Sequence, residues 1–587
     1  MVAIPFEDSR RLTGPNLFFG SSGAALEAPL PGGGREQAHQ RWTTLVQAMR
    51  RRLGWPEGPV AVRRHASGAS LAFAAPEDQL YTATELNEWA WQRALEEIAE
   101  TGFPRPFAPG HPAMRDEASA AKTLGAMAAE EARPALMILL KEAQHRNLPV
   151  FLGDDVVSIG AGSGHGAWSM AALPTLETVP WTQLHGIPTA LVTGSNGKTT
   201  STRLLSAMAS AQGRTPGFTC TDGIFVAGEL VEVGDFSGPM GARAVLRDAR
   251  VDLAILETAR GGILRRGLAV FEAEVALVTN VSPDHFGEYG IHSLADLAEV
   301  KLVVGLAVAR NGLLVLNADD EQLRARGSAW QGRLGWFSRD DDHPVLREQR
   351  KQRGATCGVR EDRLLLCWQG DRHDLGAVTA MPLCVGGHAS YNISNLAGAA
   401  LAAAGLGINP AVVASVLATF GAGHGDNPGR LETWRFGGIT IFMDYAHNPE
   451  GLEGLLRVAA SARGTRLGLL LGQAGNREDD AIRDLAATAA RFQPDLVVLK
   501  DLEGFLRGRE PGEVPGLLRS ELEAQGLVAD RLQMVLPEEA AVLTLLHWAR
   551  AGDVLVLPVH GLQVRNAVVA RLNRLEAELW RAGDPIL

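Results

Sequence analysis

Cysteine is scarce. Only Cys220, Cys357, Cys367 and Cys384 occur in 587 residues, and no two form a C-x-x-C pair, which argues against a zinc site and against a disulfide framework. No uncharged apolar run approaches the length of a membrane span. The opening Met1-Val2-Ala3-Ile4-Pro5-Phe6-Glu7-Asp8 lacks a basic segment followed by an apolar one, so no signal peptide is expected. The net charge of -11 is diffuse, without an acidic or basic tail, and offers no surface for nucleic acid. Internal repeats and low-complexity segments are also missing. These absences leave a cytoplasmic protein that engages neither membrane nor nucleic acid. What is present, 46% hydrophobic and 21% charged residues, is a globular composition. The chain is too long for one core, and its length suggests about three or four domains.

The most informative stretch is Leu191-Val192-Thr193-Gly194-Ser195-Asn196-Gly197-Lys198-Thr199-Thr200. The apolar Thr189-Ala190-Leu191-Val192 predicts a buried strand, and Ser201 to Met208 predicts a helix after the glycine turn. Strand, glycine turn and helix together cradle a phosphate. Backbone N–H groups converge on the anion, the helix N-terminus adds partial positive charge, and Lys198 reaches the terminal phosphates. Thr199 supplies a hydroxyl for magnesium. A full phosphate loop carries glycine where this chain has Val192, so the loop is a shortened G-x-x-G-K-T-T. Nucleotide binding is the expectation.

Residues 1–125 read as a mixed α+β segment with helices from Gln37 to Arg52 and Thr82 to Thr101. Short strands are expected at Val60–Arg63 and Ser70–Phe73. Glu85, Glu88, Trp89 and Trp91 form either a binding face or, as amphipathic spacing favours, the aromatic anchors of a core. The Pro- and Gly-dense stretch 102–112 predicts an exposed loop or linker. Residues 126–185 predict a helix from Glu130 to Arg146, a strand at Pro149–Leu152, and a flexible turn at the glycine-rich Gly160–Gly166.

From 186 to 425 apolar runs at Leu253–Leu256, Val275–Val278 and Gly312–Leu316 alternate with helical stretches and predict buried parallel strands. Polar residues gather at their C-terminal ends, where open α/β sheets place ligands. Glu257 follows one strand; Thr279-Asn280 ends the next and leads to Ser282-Pro283-Asp284-His285. Each is open to a plain reading, Glu257 as a helix cap and His285 as a loop histidine. Together, beside a triphosphate, they suit two magnesium ions. From 426 to 587 a second α/β unit is expected, with strands at Ile439–Met443, Leu467–Leu471, Leu496–Leu499 and Val554–Leu557. Asp444-Tyr445-Ala446-His447-Asn448-Pro449 ends the first of them. No glycine fingerprint for a dinucleotide appears, so this unit completes a site rather than owning one.

Gly194 to Thr200, Asn280 to His285, Asn317-Ala318-Asp319-Asp320, Gly429-Arg430 and Asp444 to Pro449 together resemble the Mur ligases, ATP-dependent amide-bond synthetases. Thr221-Asp222-Gly223-Ile224, Gly234 to Pro239, Glu257 to Gly267 and Arg507 to Glu513 are similar to the Mur-like half of cyanophycin synthetase. Arg11 to Asn16 is similar to the opening of that enzyme's N-terminal domain, and Glu142 to Gly160 to the segment before its ATP-grasp domain. The phosphate loop starts only about 30 residues after Gly160, too few for such a domain. The resemblance therefore implies one ligase engine of the two. It implies an α/β fold: a Mur ligase P-loop central domain, a C-terminal Rossmann-like domain, and an α+β N-terminal domain before them.

The resemblance also assigns roles. The γ-phosphate of ATP passes to a carboxylate, and an amine displaces it to leave an amide. Gly194, Ser195, Asn196, Gly197, Lys198, Thr199, Thr200 and Asn280 bind the nucleotide, with Thr199, Glu257 and His285 on magnesium. Lys301 matches the lysine that many Mur ligases carbamylate; a surface lysine is the alternative. Arg430 and Asp444 contact ATP, His447 and Asn448 lie beside the reaction centre, and Asn392 and Asn395 sit near the adenine. Tyr391 stands where a histidine is usual. Arg260, Arg265 and Arg266 either clamp a carboxylate or stand solvated. The expected partners are an amino acid and a carboxylate acceptor, an aspartyl peptide or polymer, and a homo-oligomer is expected. A catalytically inactive nucleotide-binding regulator or partner subunit is the alternative, and an NTPase that drives motion is a more distant one.

Overall fold

The computed structural model describes residues 6–29, 35–98, 114, 116–283, 286–462 and 464–586. The stretch 102–112 and His285 lie outside the described residues. The chain divides into two compact units. One holds Met1–Val281, Phe286–Trp336 and Ala402–Ile408; the other holds Ser282–His285, Phe337–Leu401 and Asn409–Leu587. No described helix is long and apolar enough to cross a membrane.

In the first unit the strands β1 (Asp8–Leu12), β2 (Gly23–Pro29), β3 (Val60–His65) and β4 (Gly68–Ala74) form an antiparallel sheet in the order β1-β2-β4-β3. Helices α1 (Arg35–Arg52) and α2 (Leu80–Ile98) pack over it. Trp42, Trp89 and Trp91 are buried among Leu26, Leu71 and Phe73, so the aromatics of α2 are core anchors. The indole N–H of Trp42 finds the Asn87 side chain at 2.9 Å, as a buried polar handle must. The single helix expected from Glu130 to Arg146 is instead two, α3 (Glu117–Glu131) and α4 (Pro134–His145). Pro134 has no N–H to donate and pushes Arg133 out of helical geometry, so the chain breaks there and restarts with proline in the first turn.

Strands β5 (Val150–Leu152), β6 (Val156–Ile159) and β7 (Gly166–Ser169) form a small antiparallel sheet. The glycine-rich run before β7 is packed rather than loose: a β-carbon on Gly164 would lie 2.4 Å from the His185 ring. Roughly 20 residues separate Ser169 from β8 (Thr189–Thr193), far short of a further catalytic domain.

Strands β9 (Pro216–Cys220), β10 (Gly223–Val226), β11 (Glu229–Val233), β12 (Leu253–Glu257), β13 (Ala273–Val278), β14 (Val308–Asn317) and β15 (Leu334–Phe337) join β8 in the order β11-β10-β9-β12-β8-β13-β14-β15. The run β9-β12-β8-β13-β14 is parallel, as its near-continuous apolar sequence requires. The helices of this region are α5 (Lys198–Ala211), α6 (Pro239–Leu246), α7 (Arg260–Arg266), α8 (Leu294–Leu302) and α9 (Glu321–Gly327).

The second unit opens with α10 (Pro344–Lys351) and an antiparallel meander of β16 (Ala355–Arg360), β17 (Arg363–Trp368) and β18 (Asp371–Ala377). Helices α11 (Ser390–Gly405) and α12 (Pro410–Leu417) follow. Strands β19 (Glu432–Phe436), β20 (Ile439–Asp444), β21 (Leu467–Leu471), β22 (Leu496–Leu499), β23 (Leu532–Met534) and β24 (Val554–Pro558) run β19-β20-β24-β21-β22-β23, with only β19 antiparallel. Helices α13 (Pro449–Ser461), α14 (Asp479–Ala490), α15 (Glu513–Ala524), α16 (Glu538–Trp548) and α17 (Leu562–Ala577) complete a doubly wound layer structure. Alternate strand residues serve opposite faces: Phe442, Leu469 and Val497 join one core, while Ile441, Leu470 and Val498 join the other.

Candidate active site

The phosphate loop closes through its glycines. Gly194 has φ 147° and Gly197, which precedes α5, has φ 84°, both in the region that favours glycine. A β-carbon on Gly194 would sit 1.8 Å from Thr279 Oγ1. The end of β13 clamps the loop: Ser195 N donates to Asn280 O at 3.0 Å, Asn196 N to Asn280 Oδ1 at 2.9 Å, and Thr279 Oγ1 to Asn196 O at 2.6 Å. Lys198 Nζ folds back on the loop, donating to Gly194 O at 2.9 Å and Ser195 O at 3.0 Å. Asn280 is thus brought to the loop as a brace. Thr200 is buried in the first turn of α5.

Beneath the loop Thr199 Oγ1 donates to Glu257 Oε2 at 2.8 Å, and Thr221 Oγ1 lies 3.4 Å from the same hydroxyl. Glu257 is buried, and its position at the end of β12 sets it beside β8 in the parallel register. A buried ion pair, Arg203 to Asp222 at 2.6 Å, ties α5 to the turn carrying Thr221. Burial pushes the neighbouring Cys220 thiol up to about 11, with the Asp222 and Glu257 charges adding to it, so it is no nucleophile at neutral pH. Among the described residues no three His, Cys, Asp or Glu side chains gather as a metal cluster. Hydroxyl and carboxylate oxygens in hydrogen-bond contact nevertheless fit a hard divalent cation that keeps waters and takes phosphate oxygens as further ligands. Lys301 on α8 is 3% exposed, which removes the surface-lysine reading. Arg260 is engaged by Glu288 at 2.5 Å and Arg265 by the Tyr289 hydroxyl at 3.2 Å. They are not simply solvated.

The remaining candidates lie in the second unit. Asp444, at the end of β20, accepts from Leu431 N at 2.7 Å. Burial pushes its carboxyl up, against the pull of Arg430. Arg430 lies over the Tyr445 ring at 4.5 Å. Asn448 caps α13 through Gly451 N at 2.8 Å. His447 Nδ1 lies 3.2 Å from Tyr445 O, and Gln473 donates to His447 O at 2.8 Å. Asn392 and Asn395 are buried in α11, one donating to Leu383 O at 2.9 Å and the other to Asn392 Oδ1 at 3.1 Å. A cleft of about 460 Å³ is lined by Leu383, His388, His424, Arg430 and Glu432.

Sequence reading missed one buried cluster entirely. Lys500, Glu538 and His560 meet with Lys500 Nζ on Glu538 and 3.0 Å from His560 Nδ1. His560 Nε2 is 3.1 Å from Ala446 O. Because Lys500 is donor only, Nδ1 must accept, so Nε2 carries the proton and donates to the loop between Asp444 and Asn448. The three residues stand at strand ends or helix starts 38 and 60 residues apart, and no local pattern links them.

Comparison with known proteins divides the chain differently from the two compact units. The Mur ligase middle domain matches residues 192–403, and the Mur ligase glutamate ligase domain matches 429–558. Cyanophycin synthetase of Trichormus variabilis is 36% identical over 378 residues, covering 63% of this chain and 41% of that one. The chain thus spans about two fifths of the length of that relative. A UDP-N-acetylmuramoyl-L-alanyl-D-glutamate–2,6-diaminopimelate ligase of Xanthomonas campestris pv. campestris is 29% identical over 334 residues, covering 54% and 63% of the two chains. Among solved structures, a pseudomurein peptide ligase type C from Methanothermus fervidus matches at 17% identity and TM-score 0.43, covering 66% of this chain and 79% of that one. The chain belongs to the Mur ligase family, carrying its middle and C-terminal domains.

Proposed function

We propose that this protein is an ATP-dependent amide ligase that activates a carboxylate as an acyl phosphate and joins it to an amino-acid amine. The observation that carries the reading is the Thr199–Glu257 contact of 2.8 Å beneath a loop that only glycine can close. An ammonium has three donors; Lys198 uses two on loop carbonyls, which leaves one for a phosphate oxygen. Thr199 and Glu257 would hold magnesium, with His285 assigned by resemblance. When bound, the ion offsets the charge on the transferring phosphoryl group. A carbamylated Lys301 would add an anionic contact. Arg430 and Asp444 would hold the nucleotide, with Asn392 and Asn395 near its base, and the cleft beside Arg430 is of a size for a purine nucleoside. His447 and Asn448 would lie at the reaction centre.

The acceptor we propose is an aspartyl peptide or polymer and the amine is that of arginine or lysine, by likeness to cyanophycin synthetase. Acyl phosphate formation is the step to trap. With ATP, magnesium and hydroxylamine, aspartyl peptides should yield hydroxamate in the wild type and none in Lys198→Ala. Tight ATP binding with no hydroxamate from any acidic acceptor would contradict the ligase and leave a nucleotide-binding regulator.

A further inference from the structure

We infer that four half-buried arginines, Arg11, Arg243, Arg247 and Arg266, form a binding site for a chain of carboxylates. Arg243 lies on α6 and Arg247, four residues on, caps its C-terminal end on the same face. Among the described residues the Arg247 side chain bonds only to neutral groups: Ser158 Oγ at 2.9 Å, Phe151 O at 2.8 Å and Val156 O at 3.2 Å. It lies against Gly153, next in the chain to Asp154. Arg266, at the end of α7, bonds Arg11 O at 3.3 Å. Arg11 stacks on Tyr81 at 3.8 Å, and its nearest carboxylate is Asp154 at 3.9 Å, whose side chain is 85% exposed. The Arg243 side chain makes no hydrogen bond or ion pair among the described residues; its backbone carbonyl is engaged by Arg247 N at 3.1 Å. Asp8, the other nearby carboxylate, is engaged by Arg10 at 3.0 Å.

Four guanidiniums therefore share the well-solvated Asp154 and, at Arg266, a part of the Asp8 charge that Arg10 already engages. Arginine does not relieve such crowding by losing its proton. Burial, and then the charges of Arg247 and Arg266, depress Arg243; burial and Arg11 do the same to Arg266. A ligand with several carboxylates offsets that repulsion through planar two-point contacts. The cluster is compact, drawn from the N-terminal strand, α6 and α7, and is not the long basic stripe that a nucleic acid needs. It is also separate from the chemistry: Arg266 closes the helix that follows Glu257, roughly 10 Å of helical rise further on. Identifying the ligand with the acidic acceptor rests on the ligase reading; the site itself does not. The acceptor chain would be held here while one of its carboxylates reacts elsewhere.

The test is fluorescence anisotropy of a labelled ten-residue aspartate peptide on the full chain without ATP, at low and high salt. Arg243→Ala removes no hydrogen bond, and unfolding curves confirm that the variant folds. Binding should weaken roughly tenfold in Arg243→Ala, recover in part in Arg243→Lys, and fall with salt. No peptide binding by the wild type, or equal binding by Arg243→Ala, overturns the proposal. Tighter Arg243-dependent binding of a single-stranded oligothymidylate of equal charge overturns it as well. ATP binding by the wild type, measured alongside, keeps the two readings apart, since its loss would sink the ligase and leave the peptide result standing.

Discussion

A β-carbon on Gly194 would meet Thr279 Oγ1 at 1.8 Å, and the residue's φ of 147° is closed to other side chains. Gly194→Ala should therefore cost about 2 kcal/mol or more of stability and abolish ATP binding, both measured by thermal unfolding with and without nucleotide. At this scale the sequence was most legible. The glycine turn, Lys198 and Thr199 lie within a few residues of one another, and Glu257 stands directly after an apolar run. Partnerships across the chain were not legible. The Arg203–Asp222 pair that steadies Thr221 joins a helix to a turn, and neither residue stands in a periodic pattern that would betray the other. The buried state of Lys301 likewise depends on packing and not on its neighbours in sequence.

The loop from Asp444 to Asn448 is an element held from behind. His560 donates to Ala446 O and packs edge-on against Tyr445 at 5.1 Å, which in turn meets His447 at 5.5 Å. Lys500→Met should destabilise the second unit by about 3–5 kcal/mol because it strands the Glu538 carboxylate in the core. The double variant Lys500→Met/Glu538→Leu should lose less than the single one, and denaturant unfolding decides between additive and coupled losses. His560 also sets a pH dependence. Burial, then the Lys500 charge, hold its pKa below the ordinary 6.5, with Glu538 and the Tyr445 ring as its other close neighbours. The unfolded chain thus binds a proton that the folded chain refuses, so stability falls as pH drops below about 6.5, at up to about 1.4 kcal/mol per unit. His560→Gln should lose that slope between pH 7 and 5.5 relative to wild type. Apolar runs announced β20, β21, β22 and β24 of this unit, whereas its meander β16 to β18 and its β19 and β23 escaped reading because polar and charged residues interrupt their apolar ones, and β9 to β11 of the first unit escaped as well.

In the first unit the N-terminal sheet is fastened to the phosphate-loop region through a few buried contacts. Arg10, 5% exposed, donates to Leu264 O at 2.8 Å on α7 and pairs with Glu27 at 2.6 Å. Thr13 N reaches Arg266 O at 2.8 Å, and Arg63 pairs with Asp296 at 2.7 Å on α8. Arg10→Met should cost about 3 kcal/mol, read as a lowered melting temperature, because Glu27 then keeps a buried charge without its arginine. It should also depress any activity, since α7 starts just beyond Glu257. This docking was invisible in the sequence, where residues 1–125 show helix and strand periodicity but nothing of what they pack on. The proposed ligation couples two substrates to ATP, and phosphate release tests that coupling most directly. Amino acids are screened against aspartyl peptides with ATP and magnesium, with Lys198→Ala as the blank. Release that requires one amine and one acceptor together, and vanishes in Lys198→Ala, is the predicted result; release indifferent to both substrates, or none with any pair, would contradict it.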